Sequence, residues 1–199
     1  MRLWLVLLLL AVAPLALADR LLTIPTARKL LDGSLRFESL RRLDRLGTGT
    51  DYLATAFGNG YEAEARLLHR RGDDRATLDL TYNVVAAIPG FSPGIALGVQ
   101  DLADQTRPGA RLFGLFTNRV EFGAGNVPFD VTVGLFVGRR VTPFVGAAVP
   151  LYAGLRLLAE HDGDMGRVGL EATPLRGLRA RLVEGNGDLL GSLGYTVKF

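Results

Sequence analysis

This sequence predicts an all-β chain: an antiparallel up-and-down β-barrel of about ten to twelve strands, each about eight to eleven residues long. Three observations lead there. Apolar and polar residues alternate with a period of two in one segment after another, which is the strand period. Turn-forming pairs such as Asp32-Gly33, Asn59-Gly60, Pro89-Gly90 and Pro108-Gly109 separate those segments at short intervals. The residues opposite the apolar rows carry charges of both signs instead of being merely polar, which suits an enclosed lumen better than a surface facing water.

The chain has 199 residues and no cysteine, so one domain without disulfides is expected. Met1-Arg2 is followed by an apolar run from Leu3 to Ala13, and Ala16-Leu17-Ala18 has the small-x-small form of a cleavage site. Residues 1–18 therefore read as a removable signal peptide, leaving a single barrel domain over 19–199. Losing Arg2 lowers the formal net charge of +3 by one, and nothing in that balance points to nucleic acid. Trp4 is the single Trp and leaves with the signal, which counts modestly against a membrane barrel, since most carry Trp and Tyr at their interfaces. Export combined with two-faced strands of this length predicts a protein of the outer-membrane type, with outer-membrane lipid as its surroundings.

In chain order, Leu21 to Arg28 comes first, and Pro25 argues against a central strand there. Ser34 to Arg42 alternates roughly. Asp51 to Gly58 leads through Asn59-Gly60, a hairpin signal, into Tyr61 to Leu67. There Tyr61, Ala63, Ala65 and Leu67 oppose Glu62, Glu64 and Arg66. Next, Leu78, Leu80, Tyr82 and Val84 oppose Thr77, Asp79, Thr81 and Asn83, and Ile95, Leu97 and Val99 oppose Ala96, Gly98 and Gln100. Arg111 to Arg119 is less regular. Val131, Val133, Leu135 and Val137 oppose Asp130, Thr132, Gly134 and Phe136. Pro143 to Leu151 reads as a kinked strand or a loop, and its prolines and flanking arginines exclude a membrane helix over 141–155. Leu155, Leu157 and Ala159 face away from Arg156, Leu158 and Glu160. Val168, Leu170 and Ala172 face away from Arg167, Gly169 and Glu171, and Leu178, Ala180 and Leu182 from Arg179 and Arg181.

The last segment sets Leu193, Tyr195, Val197 and Phe199 against Ser192, Gly194, Thr196 and Lys198, and it stops on the aromatic ring. Closing strands of outer-membrane barrels look like this, and the pattern resembles the signal read by the barrel assembly machinery, an expected partner.

Ile24-Pro25-Thr26-Ala27-Arg28, followed by Asp32-Gly33-Ser34-Leu35-Arg36-Phe37, resembles the opening of the YjbH-type outer-membrane proteins. Leu157 to Gly163 and Val168-Gly169-Leu170 look like a later strand end and following strand of that family, with His161 in place of its usual Tyr. Typical members are longer, and this chain matches a single barrel unit. The resemblance implies a non-enzymatic barrel or scaffold that assists exopolysaccharide production or export. Surface polysaccharide and its export proteins are then the implied partners.

The candidate site is the charged row: Glu62, Glu64, Arg66, Asp79, Arg156, Glu160, Arg167, Glu171, Arg179 and Arg181. These side chains can form a lumen ion-pair network or contact an acidic polysaccharide through charge-assisted hydrogen bonds. No cofactor or metal is expected, since the two histidines, His69 and His161, fall at unrelated strand ends. One alternative is a lipid- or glycan-modifying hydrolase barrel, using His with Ser34, Ser39, Ser92 or Ser192, or pairing Glu160 with Glu171. None of those serines lies in a nucleophile-elbow context. The other alternative is a soluble periplasmic β-sandwich that binds a ligand.

Overall fold

The computed structural model describes residues 20–27, 30–45, 47–70, 72–121 and 128–199, so the expected signal peptide at 1–18 lies outside the described residues. Twelve strands follow one another: β1 (Ser34–Arg42), β2 (Gly49–Phe57), β3 (Tyr61–His69), β4 (Arg75–Val85), β5 (Gly94–Gln100), β6 (Arg111–Glu121), β7 (Pro128–Val137), β8 (Val141–Tyr152), β9 (Leu155–His161), β10 (Gly166–Leu175), β11 (Leu178–Gly185) and β12 (Asp188–Lys198). Each pairs antiparallel with its sequence neighbours, and β12 pairs with β1 to close the barrel. The closing register sets Phe37 opposite Tyr195 and Ser34 opposite Lys198, and the Phe199 amide donates to the Gly33 carbonyl at 3.0 Å. Closure removes every unpaired strand edge, which an apolar surrounding would not tolerate.

Local chemistry sets the connections. Asn59 and Gly60 (φ 57° and 95°), like Asn186 and Gly187 (φ 56° and 78°), occupy the left-handed region that a tight hairpin turn demands. Pro143 to Leu151 belongs to strand β8, which settles the earlier choice between strand and loop. Both of its prolines sit where pairing on one side has ended. The β8–β9 register begins only at Val145, and the β7–β8 register stops at Ala148. A missing N–H therefore costs no ladder bond at either place.

The period-two rows separate as the alternation requires. Phe37, Leu53, Leu97, Leu135, Leu170 and Leu193 point outward and are between 42 and 57 % exposed, and similar side chains continue around the wall. A continuous apolar exterior of this kind is foreign to a protein surrounded by water. At the rim that holds the chain's C-terminus, Phe57, Tyr61, Tyr82, Phe91, Tyr152 and Phe199 are all exposed. Tyr61 contacts Phe57 and Tyr82, with ring centroids 6.1 and 4.7 Å apart. The opposite rim is dense in ion pairs, among them Arg42–Asp188, Arg41–Asp51, Arg75–Asp73 and Arg140–Asp164.

Candidate functional site: a lumen filled by ion pairs and the N-terminal segment

The inward row carries a chain of ion pairs that crosses much of the lumen. Glu64 meets Arg36 at 2.6 Å and Arg20 at 3.0 Å, and Arg20 also reaches Glu38 at 3.1 Å. Arg181 lies between Glu38 (3.2 Å) and Glu171 (2.9 Å). Arg179 approaches Glu171 at 3.6 Å and Arg156 approaches it at 4.0 Å. Arg156 binds Asp130 at 2.6 Å, and Arg119 binds the other oxygen of Asp130 at 2.9 Å. Taking charges out of water is repaid only where partners are close and further hydrogen bonds are made, and Arg20, Glu38, Glu64, Asp130, Arg156, Glu171 and Arg181 each have at least two partners.

All ten of the charged residues singled out from the sequence point into the barrel. Seven of them (Glu64, Arg156, Glu160, Arg167, Glu171, Arg179 and Arg181) enter ion pairs along this belt or beside it. Arg66 and Asp79 form a separate pair at 2.6 Å, and Asp79 also accepts the Asp101 amide at 2.8 Å. Glu62 accepts from the Leu30 amide and from Asn83, each at 2.8 Å. The charged row read from sequence left out Arg20, Arg36, Glu38 and Arg119, and Asp130, though set on the face opposite Val131 and Val133, was not counted in it. Arg36 and Glu38 share the parity of buried Ser34, but Ser39 and Arg41 interrupt the outward row and hide the pattern.

The lumen is closed by the chain itself. Residues 20–27 and Leu30 lie inside the barrel, and Leu21, Leu22, Ile24, Ala27 and Leu30 are buried. The Leu21 amide donates to the Ile24 carbonyl, and Arg20 bridges to Pro25, so the segment enters as a tight turn. Its apolar side packs on Ala96, Phe113, Leu115, Phe144, Ala148 and Leu158, an inward patch on β5, β6, β8 and β9 that water would wet poorly. Glycines make room for it. A Cβ on Gly146 would lie 2.4 Å from Leu21 Cδ2, and one on Gly94 would lie 2.6 Å from the Ala27 Cβ.

Polar anchors fix the segment. The Glu160 carboxylate accepts the amides of Leu22, Thr23 and Ile24 at 3.0, 3.0 and 3.3 Å and the Thr23 hydroxyl at 2.5 Å, while Arg167 reaches it from the side at 3.2 Å. The Ala27 amide donates to the Thr117 hydroxyl at 2.9 Å. Arg20 stacks 3.5 Å from the centre of the Tyr52 ring. Beside the segment, between β2 and β6, a polar gap of about 40 Å³ remains, room for on the order of one water.

The residues of the hydrolase alternative are also placed. His69 sits on the outward face, its Nε2 2.9 Å from Asp51, and Ser39 faces the same carboxylate from the neighbouring strand. The carboxylate lies between Ser and His, whereas an activated serine needs the imidazole in the middle. His161 is on β9, across the ring from β3, and its Nδ1 accepts the Gly163 amide. Glu160 and Glu171 are committed to the N-terminal segment and to arginines. Among the described residues there is no cluster of His, Cys, Asp and Glu fit to hold a metal.

The comparisons with known proteins bear on this architecture. No family model matches the chain, and no curated protein matches it. Among solved structures, a KdgM porin in complex with disordered oligogalacturonate is similar, at a TM-score of 0.52 and 9 % identity, over 83 % of this chain and 99 % of that one. At so low an identity the likeness concerns the fold alone, and it agrees with the closed antiparallel barrel of twelve strands.

Proposed function

We propose that this chain is an outer-membrane β-barrel, without enzymatic activity, that assists the production or export of a surface polysaccharide and is held closed by its own N-terminal segment. The observation that carries the reading is the pairing of opposite surfaces on one wall. Exposed Leu, Val and Phe ring the outside, and paired Arg and Glu fill the inside. Hydrocarbon around an aqueous or plugged lumen is the surrounding that satisfies both. The aromatic rim that holds the C-terminus belongs at the inner leaflet, and the ion-paired rim at the outer surface. The polysaccharide role rests on the resemblance to the YjbH-type proteins. Four residues of its opening motif, Ile24, Pro25, Thr26 and Ala27, lie within the segment that closes the lumen.

Two measurements test this. The exported protein should fractionate with outer membranes, resist extraction without detergent and change its gel migration on boiling; extraction in plain buffer sinks the membrane reading. Deleting the gene should lower extracellular polysaccharide, with recovery by the wild type and by the His69→Ala variant. Unchanged polymer output sinks the polysaccharide role, and failure of His69→Ala to restore it points back to a hydrolase.

A further inference from the structure

Most arginines described above are paired, but one group of four includes two with no acidic partner among the described residues. At the rim opposite the C-terminus, the loop over 101–110, the β7–β8 turn and the loop over 162–165 border a cleft of about 650 Å³, within the size range of small-ligand sites. Arg107, Arg111, Arg139 and Arg140 line it together with Asp104 and Asp164. Arg140 is paired with Asp164. The Asp104 carboxylate turns into its own loop and accepts the Ala110 amide at 3.0 Å. Among the described residues, no acidic side chain pairs with Arg107 or Arg139. Arg111 is held in a fixed plane, its Nε bonded to Gln100 at 2.8 Å and its guanidinium 3.4 Å from the centre of the Phe136 ring. A flat, immobilised guanidinium loses little freedom when it takes up a carboxylate.

We propose that this cleft binds a carboxylate-bearing oligosaccharide, an acidic glycan entering the barrel mouth from outside. The class of ligand rests on the polysaccharide reading given above; the site does not. Its floor consists of inward positions, Arg111, Phe136 and Thr142, while their neighbours Leu112, Val137 and Val141 face outward. The cleft therefore opens along the barrel axis, and a lipid headgroup beside the wall does not reach it. Two carboxylates among the arginines disfavour a cluster of phosphates but can accept bonds from sugar hydroxyls. Unpaired arginines supply the forks for uronate carboxylates.

The test uses the full-length mature protein in detergent and a hexamer of galacturonate as the probe. The hexamer should bind, more weakly at high salt, and a neutral hexasaccharide should not. The double variant Arg107→Gln/Arg139→Gln should weaken binding by about tenfold or more, as expected for loss of two charge-assisted contacts. Its heat-modifiable migration should not change, and Arg45→Gln on a different loop should bind as the wild type does. Equal affinity in the double variant overturns the proposal, as does binding that is seen only with vesicles carrying anionic lipid. If hexamer binding is lost in the variant while the gene deletion leaves polymer output normal, the site stands and the pathway reading falls. The converse pair of results removes the site and keeps the pathway.

Discussion

Glu160 shows how one side chain can hold a segment it is far from in sequence. Its carboxylate gathers three successive amides and a hydroxyl of residues 22–24. Replacing it by Gln keeps the volume and removes the charge, so these bonds weaken by about 1–3 kcal/mol in total. Hydrogen exchange at the Leu22, Thr23 and Ile24 amides should then quicken by about tenfold or more; unchanged exchange would mean that the apolar packing alone holds the segment. Asp101, just beyond β5, makes a pH prediction. Burial by itself would raise its carboxyl, but hydroxyl donors from Thr106 and Thr77, with the amides of Gln105 and Thr106, outweigh that and hold it below its ordinary 3.8. A carboxyl lowered on folding contributes stability above its unfolded value, and that stability is lost as pH falls through the folded value. The loop over 101–110 should therefore stay protected from exchange near neutrality and open first below about pH 4, whereas Asp101→Asn should open it at all pH values. The Glu160 charge was evident in the alternation of Leu155 to Glu160. Its partner was not, because the amides it binds lie in a stretch without strand periodicity.

In residues 20–27 and in β8, local sequence pattern does not decide the structure. In the N-terminal stretch Pro25 correctly excluded a central strand, but the same residues offered no sign of where Leu21, Leu22 and Ile24 would be buried. That burial depends on an apolar patch contributed by strands more than sixty residues away in sequence. Gly146 tests the fit directly. A Leu there would overlap Leu21 and Ile24, so Gly146→Leu should expel the segment while leaving the strand ladder in place. In planar bilayers the wild type should give little steady conductance, and Gly146→Leu or removal of residues 20–27 should give stable open channels. Closed behaviour in both variants would place the block in the ion-pair belt instead. For β8, two prolines and apolar side chains on both faces obscured a strand whose burial alternates from Val141 to Ala148. They are tolerated because β7 and β9 are shorter, and strand stagger cannot be seen within a single segment.

Across the whole molecule, the exterior distinguishes lipid from water. Leu97 lies mid-strand and faces outward at 51 % exposure, while Leu102 is equally exposed but sits in a loop. Leu97→Arg should cost about 2–4 kcal/mol in urea unfolding from lipid vesicles, and Leu102→Arg no more than about 0.5 kcal/mol. Equal, small effects would mean that the Leu and Val rows face water. Tyr and Phe gather around one rim, and the ion pairs collect at the other. An even number of antiparallel strands returns Ser34 of β1 and Lys198 of β12 to the same rim.

By itself the sequence determined the class of the fold and the identity of its two faces, because the period of two is a property of each strand alone. The apolar exterior follows from that pattern, but the strand count came only to ten to twelve because β8 read as strand or loop, and the closing register came from the structure. Only the tertiary structure decided what fills the lumen. Whether arginines meet glutamates, water or the chain's own leading segment depends on which strands face each other across the barrel. That distance is set by closure, and no local pattern in the sequence records it.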